Sequence, residues 1–298
     1  GGRDPEGLDR STVLKSVGIA GATGVGTGTA LADLGANADQ PPSIRGSVRQ
    51  VIVKDAATDA TLTLYGPDGG VVAEETIDNR FGSYVFGDIE PGEGYQVSQT
   101  VDGSESPRSE TVRVLPVDYT PPQSFYDQQT LTEGFGYIET RDGTELAEQV
   151  IFPEEPEPPY PTLIIHSGYE PSVSPSGANV INNVVVDQFG YAVVGVNMRG
   201  TTCSDGKFDL GEQLQLLDGY DMVEAVAAQD WVEGDVGLIG ASFSGFTQLF
   251  VAATQPPSLA AIAPGHPIGD FYRDTVYPGG LRNATFATIW ARDRDSSF

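Results

Sequence analysis

Val236-Gly-Leu-Ile-Gly-Ala-Ser-Phe-Ser-Gly-Phe-Thr-Gln248, VGLIGASFSGFTQ in one-letter code, is the stretch on which the reading of this chain turns. It opens as a short apolar run, the pattern of a buried strand, and it closes on FTQLFVAAT, which reads as a helix. Between them lie Gly240, Ser242 and Gly245. A serine on a tight strand-to-helix turn exposes its Oγ above the sheet, and small neighbours let the turn close without clashes. The helix N-terminus behind it offers N–H groups and the positive end of a dipole to a developing oxyanion. The usual spacing of such an elbow is G-x-S-x-G. Here the second glycine comes one place later, with Ser244 between. By spacing alone, Ser242 reads equally as a nucleophile or as a serine that follows a buried strand.

From about Phe125 onward the surroundings fit an α/β sheet. PTLIIHSG (161–168) and YAVVGVNMRG (191–200) are continuous apolar runs, as central parallel strands require. In GEQLQLLDGYDMVEAVAAQ (211–229) the apolar residues Leu214, Leu217, Met222, Val223 and Val226 recur at helical spacing. Strand, helix, strand in this order is a βαβ unit.

Residues 43–118 have a different texture. SVRQVIV, ATLTLYG, GVVAEETI, GSYVFGDI, GYQVSQTV and ETVRVLP read as short strands, separated by GPDGG, DNRFG, EPGEG and VDGSESP turns. In ATLTLYG, Leu62 and Leu64 alternate with Thr61 and Thr63, as in a half-buried strand. This is a small all-β sandwich. IEPGEGYQVSQT resembles the Pro-Gly-x-x-Tyr corner of fibronectin type III and carboxypeptidase-regulatory-like sandwiches. With neither His nor Cys in it, its expected role is spacer or adhesion module. The Pro-containing VDYTPPQSFYDQQ links it to the α/β part, which occupies 119–298.

Residues 1–40 stand apart. Arg10 and Lys15 flank STVL, followed by a small, weakly apolar stretch free of charge until Asp33. That is the layout of an export signal, and it resembles a twin-arginine signal with Ser11 in place of the second arginine. Ala30-Leu31-Ala32 and Ala36-Asn37-Ala38 offer cleavage sites. The expected location is secreted or cell-surface; the alternative is a flexible Gly/Ala tail.

The charge balance narrows the partners. Against 42 Asp and Glu stand 16 Lys and Arg, a formal net charge of −26, and the lysines are Lys15, Lys54 and Lys207 alone. Nucleic acid and anionic membrane surfaces call for a basic patch, so they are not expected as partners. Acidity spread along a lysine-poor chain resembles the proteins of salt-loving microbes, although an ordinary acidic secreted protein shares it. No run of about 18 apolar residues exists to span a membrane. A single cysteine, Cys203, forbids an intramolecular disulfide and is expected to be buried as a small apolar group. No His/Cys cluster has metal-ligand spacing, and GATGVGTG lacks the Lys-Ser/Thr ending of a phosphate loop, so neither metal nor cofactor is expected.

RDGTELA, MRGTTCSDGKFD, DGYDMVEAVAAQDW, GLIGASFSG, QLFVAATQPPSLAAIAP and DFYRDTVYPGG occur in this order over about residues 131–298. Together they resemble the S15-type serine hydrolases: X-Pro dipeptidyl-peptidases, cocaine-esterase-like enzymes and α-amino-acid ester hydrolases. The resemblance implies an α/β-hydrolase fold, a mostly parallel sheet with flanking helices. It implies acyl transfer from a peptide or small ester or amide substrate through an acyl-Ser242 intermediate. It makes the N–H of Phe243 one oxyanion donor, with Phe for the family's usual Tyr, and the hydroxyl of Tyr169 the other. RGTTCS departs from the family's R-G-T-G-x-S by placing Thr202 where a glycine is usual. Tyr169 reads otherwise as a loop aromatic.

A serine needs a base and the base an orienting acid. His166 sits in an apolar strand and reads as a satisfied structural histidine. His266 follows Ser242 by only 24 positions, where the family enters its cap region, and no histidine follows Asp270 or Asp274. The family's acid and base are therefore expected beyond Phe298, with only about half the usual strands present. Two other readings stay open. One is a non-catalytic cell-surface or binding protein whose hydrolase half is degenerate. The other recruits His266 as base.

Overall fold

A computed structural model of the chain describes residues 38–77, 79, 81–169, 171–172 and 184–295. The export-signal reading, apart from Ala38 to Gln40, lies outside them. No helix among the described residues is long and apolar enough to cross a membrane.

The first part builds two antiparallel sheets. β1 (Ser43–Ser47) and β2 (Gln50–Lys54) form a hairpin, and β5 (Tyr84–Phe86) pairs with the other side of β2. β3 (Thr61–Tyr65), β4 (Val71–Thr76), β6 (Gly92–Val101) and β7 (Ser104–Glu105) lie in the order β4-β3-β6-β7, and β8 (Val112–Val114) also pairs with β6. Val51, Val53 and Phe86 from one sheet bury against Leu62, Leu64, Val97 and Val114 from the other. Because β3 is flanked on both edges, Thr63 is buried as well as the leucines, and its hydroxyl reaches Glu74 at 3.3 Å. Tyr95 donates its hydroxyl proton to Glu90 O at 2.7 Å, the bond expected of the tyrosine corner.

The expected single strand over 47–53 is instead the hairpin of β1 and β2, turning at Val48-Arg49 with Arg49 at φ 54°. No turn-forming dipeptide marks it. Val48 is held by burial against Leu115, Leu214 and Leu217, so tertiary packing selects the turn.

The second part opens with a short helix α1 (Gln123–Asp127) and continues as β9 (Gly134–Glu139), β10 (Glu145–Ile151), β11 (Thr162–Ser167), β12 (Ala192–Asn197), α2 (Gln213–Ala227), β13 (Val236–Ala241), α3 (Phe243–Ala253), β14 (Leu259–Gly265) and α4 (Phe286–Asp295). The sheet order is β14-β13-β11-β12-β10-β9. β14, β13, β11 and β12 are mutually parallel, while β10 and β9 are antiparallel additions. Every residue of β12 is buried, as its unbroken apolar run predicts. Ile164, Val194, Val196, Leu238, Met222 and Val226 form the main core between sheet and helices. Gly219 inside α2 lets that helix approach α3, since a Cβ there would lie 2.2 Å from Val251 Cγ2.

The two parts are joined by more than a linker. Val48 and Leu115 pack on Leu214 and Leu217 of α2. Beside them, Arg199 is clamped by Asp142 (3.2 Å) and by both oxygens of Asp218, and Ser47 Oγ of β1 donates to Asp142 at 2.5 Å. Burial alone would raise both carboxyls. At Asp142 the Arg199 charge, with Ser47 and Thr144 donating, outweighs burial and holds the pKa below the usual range. At Asp218 burial prevails and pushes the pKa up to about 6. One guanidinium thus serves two carboxylates unequally.

Candidate active site

The chain leaves β11 toward β12 on one side and returns to β13 on the other. This reversal opens a crevice at the carboxyl ends of β11 and β13, the place where open α/β sheets bind ligands. Tyr169 lies just past the end of β11, and Ser242 just past the end of β13.

Ser242 has φ 59° and ψ −116°, outside the regions L-residues ordinarily occupy, and caps α3 without a side-chain capping bond. Its side chain is exposed. Its N–H donates to Gly265 O at 2.9 Å, and its carbonyl accepts from Gly245 N and Phe246 N. Two glycines make the turn fit. Gly240, at φ 150°, leaves room for Ser244, whose Oγ would lie 2.3 Å from a Cβ there; a Cβ at Gly245 would lie 2.2 Å from Gly265 O. The late second glycine is therefore the one that β14 requires, and Ser244 folds inward to donate to Ala241 O at 3.0 Å.

Phe243 N–H falls in the first turn of α3, where no preceding helical carbonyl can accept from it. The Phe243 ring is buried, stacked on Phe246 at 4.8 Å and met edge-on by Tyr169 at 5.1 Å. The Tyr169 hydroxyl accepts from Trp290 Nε1 at 3.1 Å. Tyr169 is 38% exposed, so its ring borders solvent as well as the elbow. The structure thus gathers Ser242, Phe243 and Tyr169 at one crevice.

Asn197 and Trp290 escaped the sequence reading. Buried Asn197, at the end of β12, donates to Tyr169 O (2.7 Å) and Thr202 Oγ1 (2.9 Å) and accepts from Ser172 N (3.1 Å). It fixes the loop that carries Tyr169. A polar residue closing an apolar strand was the available signal. Thr202 adopts φ 55°, a left-handed conformation that a β-branched residue rarely takes, which explains why a glycine suits this position. Cys203 corrects an expectation: it is exposed. The tight turn closed by Gly200 N to Asp205 O and Ser204 N to Thr201 O puts Cys203 on its outer side.

His166 is fully buried, its Nδ1 bonded to Val196 O at 3.1 Å, and burial drops its pKa to about 4. It is a neutral ring beneath the crevice. His266 is exposed and follows the Gly265 carbonyl that binds Ser242 N. Among the described residues no hydrogen bond joins either histidine to Ser242. Asp270 caps the turn after it, and Asp274 accepts from Gly269 N and Asp270 N, which gives both carboxylates structural partners.

Residues 142–296 match the X-Pro dipeptidyl-peptidase (S15) family. The chain belongs to this family. It is 31% identical over 156 residues to the cocaine esterase of Rhodococcus sp. (strain MB1 Bresler), covering 52% of this chain and 27% of that protein. A putative serine esterase of Mycobacterium bovis is 33% identical over 104 residues, 35% of this chain and 17% of the other. This S15 chain therefore spans only 17% to 27% of the length of these two relatives. Among solved structures, a CocE/NonD family hydrolase from Staphylococcus aureus aligns with TM-score 0.50 and 25% identity, over 55% of this chain and 33% of that one. The fold of the S15 part is that of an α/β hydrolase, and the antiparallel sheets precede it.

Proposed function

We propose that this S15 chain carries the nucleophile and oxyanion site of an exported serine hydrolase that cleaves a peptide (X-Pro dipeptidyl) or ester or acyl bond. Ser242 Oγ loses its proton to a base and attacks the carbonyl carbon. The tetrahedral intermediate collapses with cleavage of the C–N or C–O bond, the amine or alcohol leaves with that proton, and water hydrolyses the acyl-enzyme. Phe243 N–H and the Tyr169 hydroxyl stabilise the oxyanion, helped by the N-terminus of α3. A hydroxyl that already accepts, as Tyr169 does from Trp290, is a stronger donor. The single observation that carries the reading is the strained, exposed Ser242 at the sheet's switch point with the first turn of α3 behind it. The reaction needs a base and an orienting acid besides the residues gathered at the crevice. The relatives' names support both ester and peptide bonds.

The test is turnover by the natural gene product of X-Pro dipeptidyl p-nitroanilides and p-nitrophenyl esters. Ser242→Ala should abolish whichever is cleaved and leave the fold intact; retained turnover overturns the assignment. A second reading, the non-catalytic binding protein, is favoured by one observation: neither histidine bonds to Ser242 among the described residues. It predicts turnover of none of these substrates by the parent protein.

A further inference from the structure

Alongside α3 lies a cavity of about 160 Å³, whose wall residue Phe246 is stacked on Phe243. Its walls are mainly apolar: Met198, Leu210, Leu216, Phe246, Phe250 and Phe271. Three polar side chains, His166, Gln215 and Thr247, also line it; the Thr247 hydroxyl donates to His166 O at 2.8 Å, while His166 and Gln215 are 2% and 3% exposed. The Nε2 atom of each of these two is buried with no hydrogen-bond partner among the described residues. A buried polar group without a partner is costly, so two lining one cavity call for a hydrogen-bonding occupant, a water or the hydroxyl of a ligand.

Their chemistry specifies what kind. His166 Nδ1 meets Val196 O, which can only accept, so Nδ1 carries the proton. In the neutral ring Nε2 is then an acceptor. Gln215 Oε1 takes the N–H of Gly211 at 2.9 Å, so its Nε2 is the amide nitrogen, a donor. One group must therefore donate to His166 and accept from Gln215. A hydroxyl does both; a ketone, an ammonium or a carboxylate satisfies only one of them. The apolar walls demand an apolar body around that hydroxyl. A cavity of about 150 Å³ with aliphatic and aromatic walls is enough for a benzene ring.

We propose that this cavity is a binding site for a small monohydroxylic molecule with an aromatic or aliphatic body, of which phenol is the simplest probe. The hydroxyl bridges His166 Nε2 and Gln215 Nε2 while the body packs on Phe246 and Phe250. The proposal does not depend on the role of Ser242.

The test combines solution binding with direct location. Phenol should bind the full chain at neutral pH and raise its Tm saturably. Gln215→Met, which keeps the apolar body's contacts and removes the donor, should weaken phenol about tenfold and leave toluene binding unchanged. Equal loss for both ligands, or loss for neither, overturns the hydroxyl bridge. A crystal grown with 4-bromophenol locates the site without any substitution and decides the matter even if the variant does not fold. Bromine density inside the cavity, with the oxygen between the two Nε2 atoms, is the expected result. Ordered water alone in the cavity, or bromophenol only elsewhere, overturns the proposal.

Discussion

The N–H of Ser242 donates to the carbonyl of Gly265 at 2.9 Å, and a Cβ on Gly245 would sit 2.2 Å from that same oxygen. The elbow is thus braced against the end of β14, and its geometry depends on a backbone approach that only glycine permits. Gly245→Ala should destabilise the protein by about 1–3 kcal/mol through overpacking. It should also lower kcat more than it raises KM, because it moves the oxyanion donor on Phe243. Urea melts alongside steady-state kinetics check both.

Strain at Ser242 makes a prediction that is independent of catalysis. Glycine occupies positive φ without penalty, whereas alanine does not. Ser242→Gly should therefore be about 1 kcal/mol more stable than Ser242→Ala, the strain relieved exceeding glycine's extra unfolded-state entropy. Equal melting curves for the two variants would show that the turn is not strained.

Glu148 lies in β10 with 1% exposure, its Oε2 has no partner among the described residues, and burial pushes its pKa up to about 8. A raised carboxyl pKa stabilises the fold below the unfolded value of about 4.3, and that stability drains away as pH rises toward the folded value. Glu148→Gln should be more stable than the parent by about 3–4 kcal/mol at pH 7 and nearly equal to it at pH 4.5. Asp218 acts in the same direction between its unfolded value and about 6, so the comparison is made between variant and parent at each pH. A difference that does not grow with pH would contradict the assignment.

Arg199 bridges Asp142 and Asp218, and Asp142 is in turn held by Ser47 of the β-sandwich. Arg199→Met leaves two buried carboxyls without their cation and should cost about 3–5 kcal/mol. Because β1 touches this cluster, hydrogen exchange at Ser43–Ser47 should accelerate together with α2. Exchange confined to α2 would show that the two parts are not coupled there.

A formal charge of −26 repels itself over distances that salt shortens from about 30 Å at 0.01 M to about 3 Å at 1 M. The Tm should rise on the order of 5 °C across that range, a gain of roughly 1–2 kcal/mol. A flat response would mean that the acidic surface is adequately solvated without salt.

What the sequence made legible follows from periodicity. Continuous apolar runs located β11, β12 and β13, and helical spacing located α2, because burial on both faces or one stripe writes itself into residue order. The strand-turn-helix about Ser242 was readable for the same reason. The displaced glycine was not understood until Gly265 appeared beside Gly245, a contact between residues 20 positions apart. β1 was missed because SIRGS is polar and half exposed, and its pairing is settled by Val48 packing on α2. Asn197 and Trp290 reach Tyr169 across 28 and 121 positions, and no local pattern encodes such contacts. Cys203 misled because composition favours burial, whereas a turn decides which side faces out.

The most direct test of the central claim is covalent labelling. The natural gene product would be treated with a fluorophosphonate, digested, and the adduct located by mass spectrometry. The account predicts one adduct, on the peptide containing Ser242, lost in Ser242→Ala. An adduct on another serine, or none under conditions that label a control serine esterase, would contradict it.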